Sequence, residues 1–393
     1  MKKVLILMIS GGAGHLTAAR ALSGALGQLY ADEVTTSIVD VSKAYSFPLI
    51  NRMDELFTWL TDEGEWVWKT LWLTDGRPDA IRNMAKLLTP AFQSKMTDIY
   101  EAEAPDLVVT VHGFANHLPL RVLRRSKSGQ AQVPFVTVVA DLVSAHPVWF
   151  CRDVDYCTVP TEAALERALR YGMPRDRVEV LGEPIHPRFI EDQGDPLALR
   201  AEMGLDLQRP CLLVMGGGDG MGAVFETARA LASSVLQAQM IVVAGRNAQL
   251  RQRLEAVQWE IPTRVYGFAE DMPRLMRASD ILITKAGSVT LAEGFAMGLP
   301  VIISGFIPGQ EEGNLGYVQE HEAGAFAGTP AVVARIAQRW LQPGSGHLAR
   351  LSANARALAR PEASLEIARR LHLFLEHGRA AHALLQSEQL AGR

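Results

Sequence analysis

Lys3-Val4-Leu5-Ile6-Leu7-Met8-Ile9, followed by Ser10-Gly11-Gly12-Ala13-Gly14-His15, decides the fold class. The apolar run lacks polar alternation, stops at glycines and gives way to a helical pattern over Ala18–Tyr30. That order reads as a strand buried on both faces, a tight turn and a covering helix. The run falls short of the roughly 18 apolar residues a spanning helix needs. It ends in Ser10-Gly11-Gly12 with no small-residue cleavage site, so a strand is expected rather than a signal peptide.

The same grammar continues along the chain. Strands are expected at Val34–Val39, Asp106–Val111, Phe135–Val139 and Val178–Leu181, then at Cys211–Met215, Met240–Ala244, Arg264–Tyr266, Ile281–Thr284 and Val301–Ser304. Helical patterns such as Ala223–Leu236 and Val289–Met297 lie between them, which predicts parallel α/β sheets. A chain of 393 residues exceeds one ordinary core, and two domains of about 180 residues each are expected. Pro184, Pro187, Gly194 and Pro196 interrupt any regular pattern, so the boundary is set at residues 1–187 and 188–393, the second domain carrying a helical tail at Leu365–Gln389.

Composition narrows the function classes. The chain is 48% apolar and 21% charged with a net charge of −4, which offers no bulk attraction for nucleic acid. Cys151, Cys157 and Cys211 lack zinc-type pairing and are too few for a disulfide framework, so a reducing cytoplasm is expected.

Four glycine-rich stretches follow strands. Gly11-Gly12-Ala13-Gly14-His15 opens a helix, whose free amides and positive end suit a ligand. It is not the Gly-x-Gly-x-x-Gly of dinucleotide enzymes, although Asp40, closing the second strand, keeps that alternative open. Gly216-Gly217-Gly218-Asp219-Gly220-Met221-Gly222 can cradle a phosphate or serve as a surface turn. Gly287-Ser288 starts a helix able to take a diphosphate, and Glu293, a little over one turn further on, can accept from ribose hydroxyls or sit on a solvated face. Pro308-Gly309-Gln310-Glu311-Glu312-Gly313-Asn314 offers amide and carboxylate groups suited to hexose hydroxyls, or an ordinary polar loop.

Taken in order with Ala286-Gly287-Ser288-Val289-Thr290-Leu291-Ala292-Glu293, Gly298-Leu299-Pro300-Val301-Ile302, Pro105–His112 and Ala140–Phe150, these motifs resemble the monogalactosyldiacylglycerol synthases and processive diacylglycerol glucosyltransferases of glycosyltransferase family 28. The likeness spans about residues 4–325 and departs at Ala13, where many relatives carry glycine. It implies a GT-B fold, two Rossmann-like domains with parallel sheets facing across a cleft. The acceptor would sit in the first domain and the nucleotide sugar in the second. It implies an inverting transfer of galactose or glucose from a UDP-sugar to diacylglycerol, with no metal or other cofactor. By motif, His15 would be the base, with Gly14 beside it on the acceptor side. Gly217, Gly218, Gly287 and Ser288 would line the diphosphate and Glu293 the ribose. Gln310 and Glu311 would hold the hexose, and Arg246 and Phe268 would lie near the uracil.

A neutral imidazole can take a hydroxyl proton at physiological pH, and Asp141 is the candidate to orient it, or alternatively to cap a loop. His112, His117 and His146 all follow strand ends and could be imagined as a metal cluster, although ordinary loop roles suit them better. Trp59, Trp66, Trp68 and Trp72 crowd the segment 46–73, which reads as a lipid-interface contact or an aromatic core helix pair. Arg121, Arg124, Arg125 and Lys127 could add about 1 kcal/mol each against anionic headgroups, or form a solvated helix end. The expected placement is cytoplasmic and peripheral, at the inner face of a membrane. The competing functions are an N-acetylglucosamine transferase acting on a lipid-linked peptidoglycan precursor and a soluble natural-product glycosyltransferase. A UDP-sugar epimerase and a non-catalytic nucleotide-sugar-binding regulator remain as further readings.

Overall fold

The computed structural model describes residues 1–10, 13–44, 78–126, 129–191 and 193–391. It forms two compact units, one of residues 1–187, 308–310 and 362–393, the other of residues 188–307 and 311–361.

The first unit is built on a six-stranded sheet in the order β2-β1-β3-β4-β5-β6, with every pairing parallel. Its strands are β1 (Lys2–Met8), β2 (Val34–Asp40), β3 (Leu107–Thr110), β4 (Phe135–Val138), β5 (Tyr156–Val159) and β6 (Val178–Val180). Val4 to Leu7 have no exposed surface, because helices cover both faces of the central strands. The helix Ala13–Tyr30 buries Ala18, Ala19, Ala21, Leu22, Ala25 and Leu26, a stripe at helical spacing whose alanines allow close approach to the sheet. This helix begins earlier than the sequence pattern predicts, so Gly14 and His15 lie in its first turn rather than on a loop. A glycine is tolerated there because first-turn amides have no intrahelical partner to lose.

The tail is a correction to the expected domain division. Residues 362–393 group with the first unit, not the second. The helix Ala363–His377 buries Leu365, Ile367, Ala368, Leu371, Phe374 and Leu375, and packs against Ala13–Tyr30. Arg370 grips Glu179 through two contacts of 3.1 Å, and Ser364 donates to the Ile185 carbonyl. Each large apolar side chain buried this way is worth about 1.5–3 kcal/mol, which accounts for the return of the chain. The tail is also broken: Gly378, at φ +57, separates Ala363–His377 from Ala381–Ala391.

The second unit carries a six-stranded parallel sheet in the order β12-β11-β10-β7-β8-β9. Its strands are β7 (Cys211–Met215), β8 (Gln239–Val243), β9 (Thr263–Tyr266), β10 (Ile281–Lys285), β11 (Val301–Gly305) and β12 (Gly324–Phe326). Its core gathers Leu212, Val214, Met240, Val242, Ile281 and Ile283 under helices Val224–Ala232 and Pro330–Trp340. β5 and β12 are absent from the sequence expectation, because neither Tyr156-Cys157-Thr158-Val159 nor Gly324-Ala325-Phe326 is a Val, Ile and Leu run. In each sheet the chain reverses its direction of growth once, between β1 and β3 and between β7 and β10. Those reversals open the crevices where α/β proteins bind ligands, at the carboxyl ends of the strands.

Candidate active site

At the β1/β3 reversal, His15 reaches from the first turn of its helix to the chain leaving β3. Its Nδ1 lies 2.9 Å from the Val111 carbonyl oxygen. A carbonyl can only accept, so Nδ1 carries the proton and Nε2 keeps a lone pair. Burial of the ring lowers its pKa to about 4, outweighing the carbonyl contact that raises it. The imidazole is therefore neutral at physiological pH, as a general base must be before reaction.

Two rings brace it. His112 meets His15 edge-on at 4.3 Å between centroids, and Trp149 lies at 5.9 Å. His112 Nδ1 accepts from the Phe114 amide, which fixes its proton on Nε2. Burial, and then the neighbouring His15, hold its pKa well below the ordinary histidine value. The Trp149 indole donates to Asp141 Oδ2 at 2.6 Å, and the Trp149 carbonyl accepts from Asn116.

The expected His15–Asp141 contact is therefore not made. A main-chain carbonyl orients the imidazole, and Asp141 orients the tryptophan beside it. The other Asp141 oxygen accepts from Gln310 Nε2 at 3.3 Å, which engages that amide in the first unit. Gly14 is exposed and has open space where a side chain would stand. Asp40, which kept the dinucleotide alternative open, is also occupied. Burial alone would raise its pKa, but hydrogen bonds from Ser10 and Ser42 outweigh that and hold it below the ordinary carboxylate range.

At the β7/β10 reversal of the second unit, two glycine turns meet. Gly217 takes φ +73, a conformation that L side chains adopt only with strain. Gly216 is packed so closely that an added Cβ would stand 2.0 Å from the Met221 carbonyl. The Gly218 carbonyl accepts from the Arg246 amide at 2.8 Å. The Arg246 guanidinium pairs with Asp219 at 2.8 Å and stands 5.3 Å from the centre of the Phe268 ring. Phe268 is 49% exposed, a flat apolar platform beside the turn.

The helix Ser288–Ala296 starts at the second turn, capped by Gly287, which has no side chain to accept from the first-turn amides. Glu293 is its sixth residue and is only 8% exposed. It has no hydrogen bond or ion pair among the described residues, and burial pushes its pKa up to about 8. Glu311 is ion-paired with Lys285, and its other oxygen accepts from the Ile307 amide at 2.9 Å. Asn314 donates to the Ala286 carbonyl at 2.8 Å and to Ser288 Oγ at 3.4 Å, tying the Pro308–Asn314 segment to the Gly287 turn.

Sequence reasoning gave no role to Lys285, Asp219 or Trp149, and did not see His112 as a partner of His15. A charged residue closing the apolar run Ile281–Thr284 immediately before a Gly-Ser turn was the available signal for Lys285. The expected lipid-interface residues Trp59, Trp66, Trp68 and Trp72 lie outside the described residues, as does Lys127. Arg124 is not available to a headgroup, because it donates to Asp155 at 2.6 Å and to the Ala131 and Val133 carbonyls. Among the described residues no three His, Cys, Asp or Glu side chains converge as a metal site. His112 and His146 accept from the Phe114 and Val148 amides, and His117 opens the helix His117–Arg124.

Comparison with known proteins adds a family to this geometry. The family model for monogalactosyldiacylglycerol synthase matches residues 15–185, and that for the glycosyltransferase family 28 C-terminal domain matches residues 211–325. The chain is 36% identical over 379 residues to monogalactosyldiacylglycerol synthase 1 of Arabidopsis thaliana, covering 94% of this chain and 70% of that protein. With the synthase of Spinacia oleracea the identity is 33% over 374 residues, covering 93% and 71%. Among solved structures, MurG of Acinetobacter baumannii superposes with a TM-score of 0.60 at 16% identity, covering 94% of this chain and 99% of MurG. HepE of Anabaena, in complex with UDP and glucose, gives 0.54 at 16%, covering 95% and 100%. These likenesses establish the GT-B fold.

Proposed function

The chain belongs to the monogalactosyldiacylglycerol synthase family, and from that premise we propose that it transfers galactose from UDP-galactose to diacylglycerol with inversion at the sugar. The observation that carries the mechanism is the His15–Val111 hydrogen bond, because it leaves Nε2 as the proton acceptor. The acceptor hydroxyl gives its proton to Nε2 as its oxygen attacks the anomeric carbon. The bond from that carbon to the diphosphate breaks on the opposite face, and UDP leaves. The first-turn amides of Ser288–Ala296 and the turn at Gly217 supply positive potential for the leaving group. In this reading Phe268 and Arg246 take the uracil and Glu293 the ribose. No metal is required, so turnover should survive chelation by EDTA.

The likeness to MurG is one of fold alone, whereas the family match covers most of the chain, so the lipid-linked peptidoglycan reading is set aside. A diacylglycerol acceptor calls for a membrane surface. Among the described residues no helix is long and apolar enough to cross a membrane. From the lipid acceptor we infer a peripheral enzyme at the cytoplasmic face, with the tryptophans of segment 46–73 as its contact.

The test is incubation with radiolabelled UDP-galactose, UDP-glucose or UDP-N-acetylglucosamine and diacylglycerol vesicles, followed by lipid extraction. Label from UDP-galactose in a diacylglycerol product is expected. Label only from UDP-N-acetylglucosamine, or none in lipid, overturns the assignment.

A further inference from the structure

We propose that Lys285 senses the donor: its ammonium leaves Glu311 for the diphosphate of a bound nucleotide sugar and thereby frees the Glu311 carboxylate to hold the sugar. This rests on the nucleotide-sugar reading above and deepens it. Lys285 closes β10, the neighbour of β7, so its side chain stands where both glycine turns meet. A Cβ added at Gly217 would lie 3.6 Å from Lys285 Cε, and one added at Gly287 would lie 3.1 Å from its Nζ. The first turn of Ser288–Ala296, whose N-cap Gly287 brings no side chain, begins at the same place. Ammonium, glycine amides and helix end all attract an anion, and the ammonium already holds an internal one, the carboxylate of Glu311.

A diphosphate carries more charge and more acceptor oxygens than a carboxylate, and it competes directly for that ammonium. A lysine is suited to the exchange, being a point charge on a flexible stem rather than the fixed fork of an arginine. Glu311 does not move far when released, because the Ile307 amide pins its second oxygen. Its freed oxygen then faces whatever is joined to the far end of the diphosphate, which in a nucleotide sugar is the hexose. A free hexose, bringing no phosphate, would find the carboxylate already engaged.

The two halves of the ion pair consequently answer in opposite directions. Calorimetry on the full chain would compare UMP, UDP and UDP-galactose across wild type, Lys285→Gln and Glu311→Gln. Lys285→Gln is expected to weaken UDP by about 10- to 100-fold, the worth of one charge-assisted hydrogen bond, and to leave UMP within about twofold. Glu311→Gln is expected to tighten UDP several-fold (roughly 0.7–1.4 kcal/mol), since the ammonium is no longer contested, and to abolish the extra affinity of UDP-galactose over UDP. A purely structural pair would lose UDP affinity in both variants, and that result overturns the proposal. Equal weakening of UMP and UDP by Lys285→Gln overturns it as well. Should Lys285→Gln fail to fold, the sign of the Glu311→Gln effect on UDP decides alone. Wild-type protein that binds none of the three nucleotides sinks the donor reading itself, a different failure from wild type binding UDP and Lys285→Gln doing so unchanged.

Discussion

The two strand reversals hold sites of opposite electrical character. At β1/β3 the groups around the imidazole are neutral rings: His15 and His112, both far below the ordinary histidine pKa, and an indole whose N–H the Asp141 carboxylate accepts, with a main-chain carbonyl setting the tautomer. At β7/β10 they are ions and dipoles: an ammonium and a carboxylate, a guanidinium with its own carboxylate, and a helix end that begins at a glycine. One fold pattern thus gives one place fitted to move a proton and another fitted to hold an anion. The division predicts that damage to one site should be read in turnover and damage to the other in nucleotide affinity.

The sharpest break of that division is His15→Ala. Removing the base should lower kcat by about 10²- to 10⁴-fold while leaving UDP affinity within about twofold by calorimetry. Full activity in the variant would remove His15 from the mechanism, and a large loss of UDP affinity would show the two sites to be one. The next effect is a pH dependence. Glu293 has its pKa raised to about 8 by burial alone, so it is largely protonated at neutral pH. Ribose hydroxyls donating to it favour the charged form and lower that pKa, so binding releases a proton. UDP affinity should therefore rise with pH, by up to about tenfold per unit, and level off above about 8. Glu293→Gln should flatten the curve; an equally steep curve in the variant would exclude Glu293. The same raised pKa has a cost to folding. The native state keeps a proton that the unfolded chain gives up above about 4.5, so this contribution to stability is complete below that pH and lost as pH rises through about 8.

How far these sites could be read from the sequence follows the same physics. Strand and helix positions come from apolar runs and their punctuation, which are local, so ten of the twelve strands among the described residues carry a signal, whereas Tyr156–Val159 and Gly324–Phe326, which are not Val, Ile and Leu runs, do not. The glycine turns at the β7/β10 reversal were legible because glycine clusters after strands are local as well. The partner of His15 was not. Val111 contributes only its carbonyl, which every residue has, and it lies 96 positions away. Asp141 looked like the natural partner because a carboxylate is the side chain one expects beside a catalytic histidine, yet Trp149, eight residues on, claims it first. The return of residues 362–393 to the first unit depends on which apolar face finds which, and helical periodicity in the tail does not name its partner.

The smallest effect contrasts two glycines, one from each site. Gly217 holds φ +73, which an alanine adopts at a cost of roughly 1–2 kcal/mol, so Gly217→Ala should lower the melting temperature and weaken UDP together. Gly14 lies in a helix with nothing within 4 Å of a would-be Cβ, so Gly14→Ala should be neutral or stabilising by up to about 1 kcal/mol. The space above it still matters if the lipid hydroxyl approaches His15 across that helix end. In that case Gly14→Ala raises the KM for diacylglycerol while the melting temperature holds or climbs, a combination that no loss of folding produces. An unchanged KM would place the acceptor's path elsewhere around the imidazole, and would leave glycine at position 14 without a reason in the geometry of the first site.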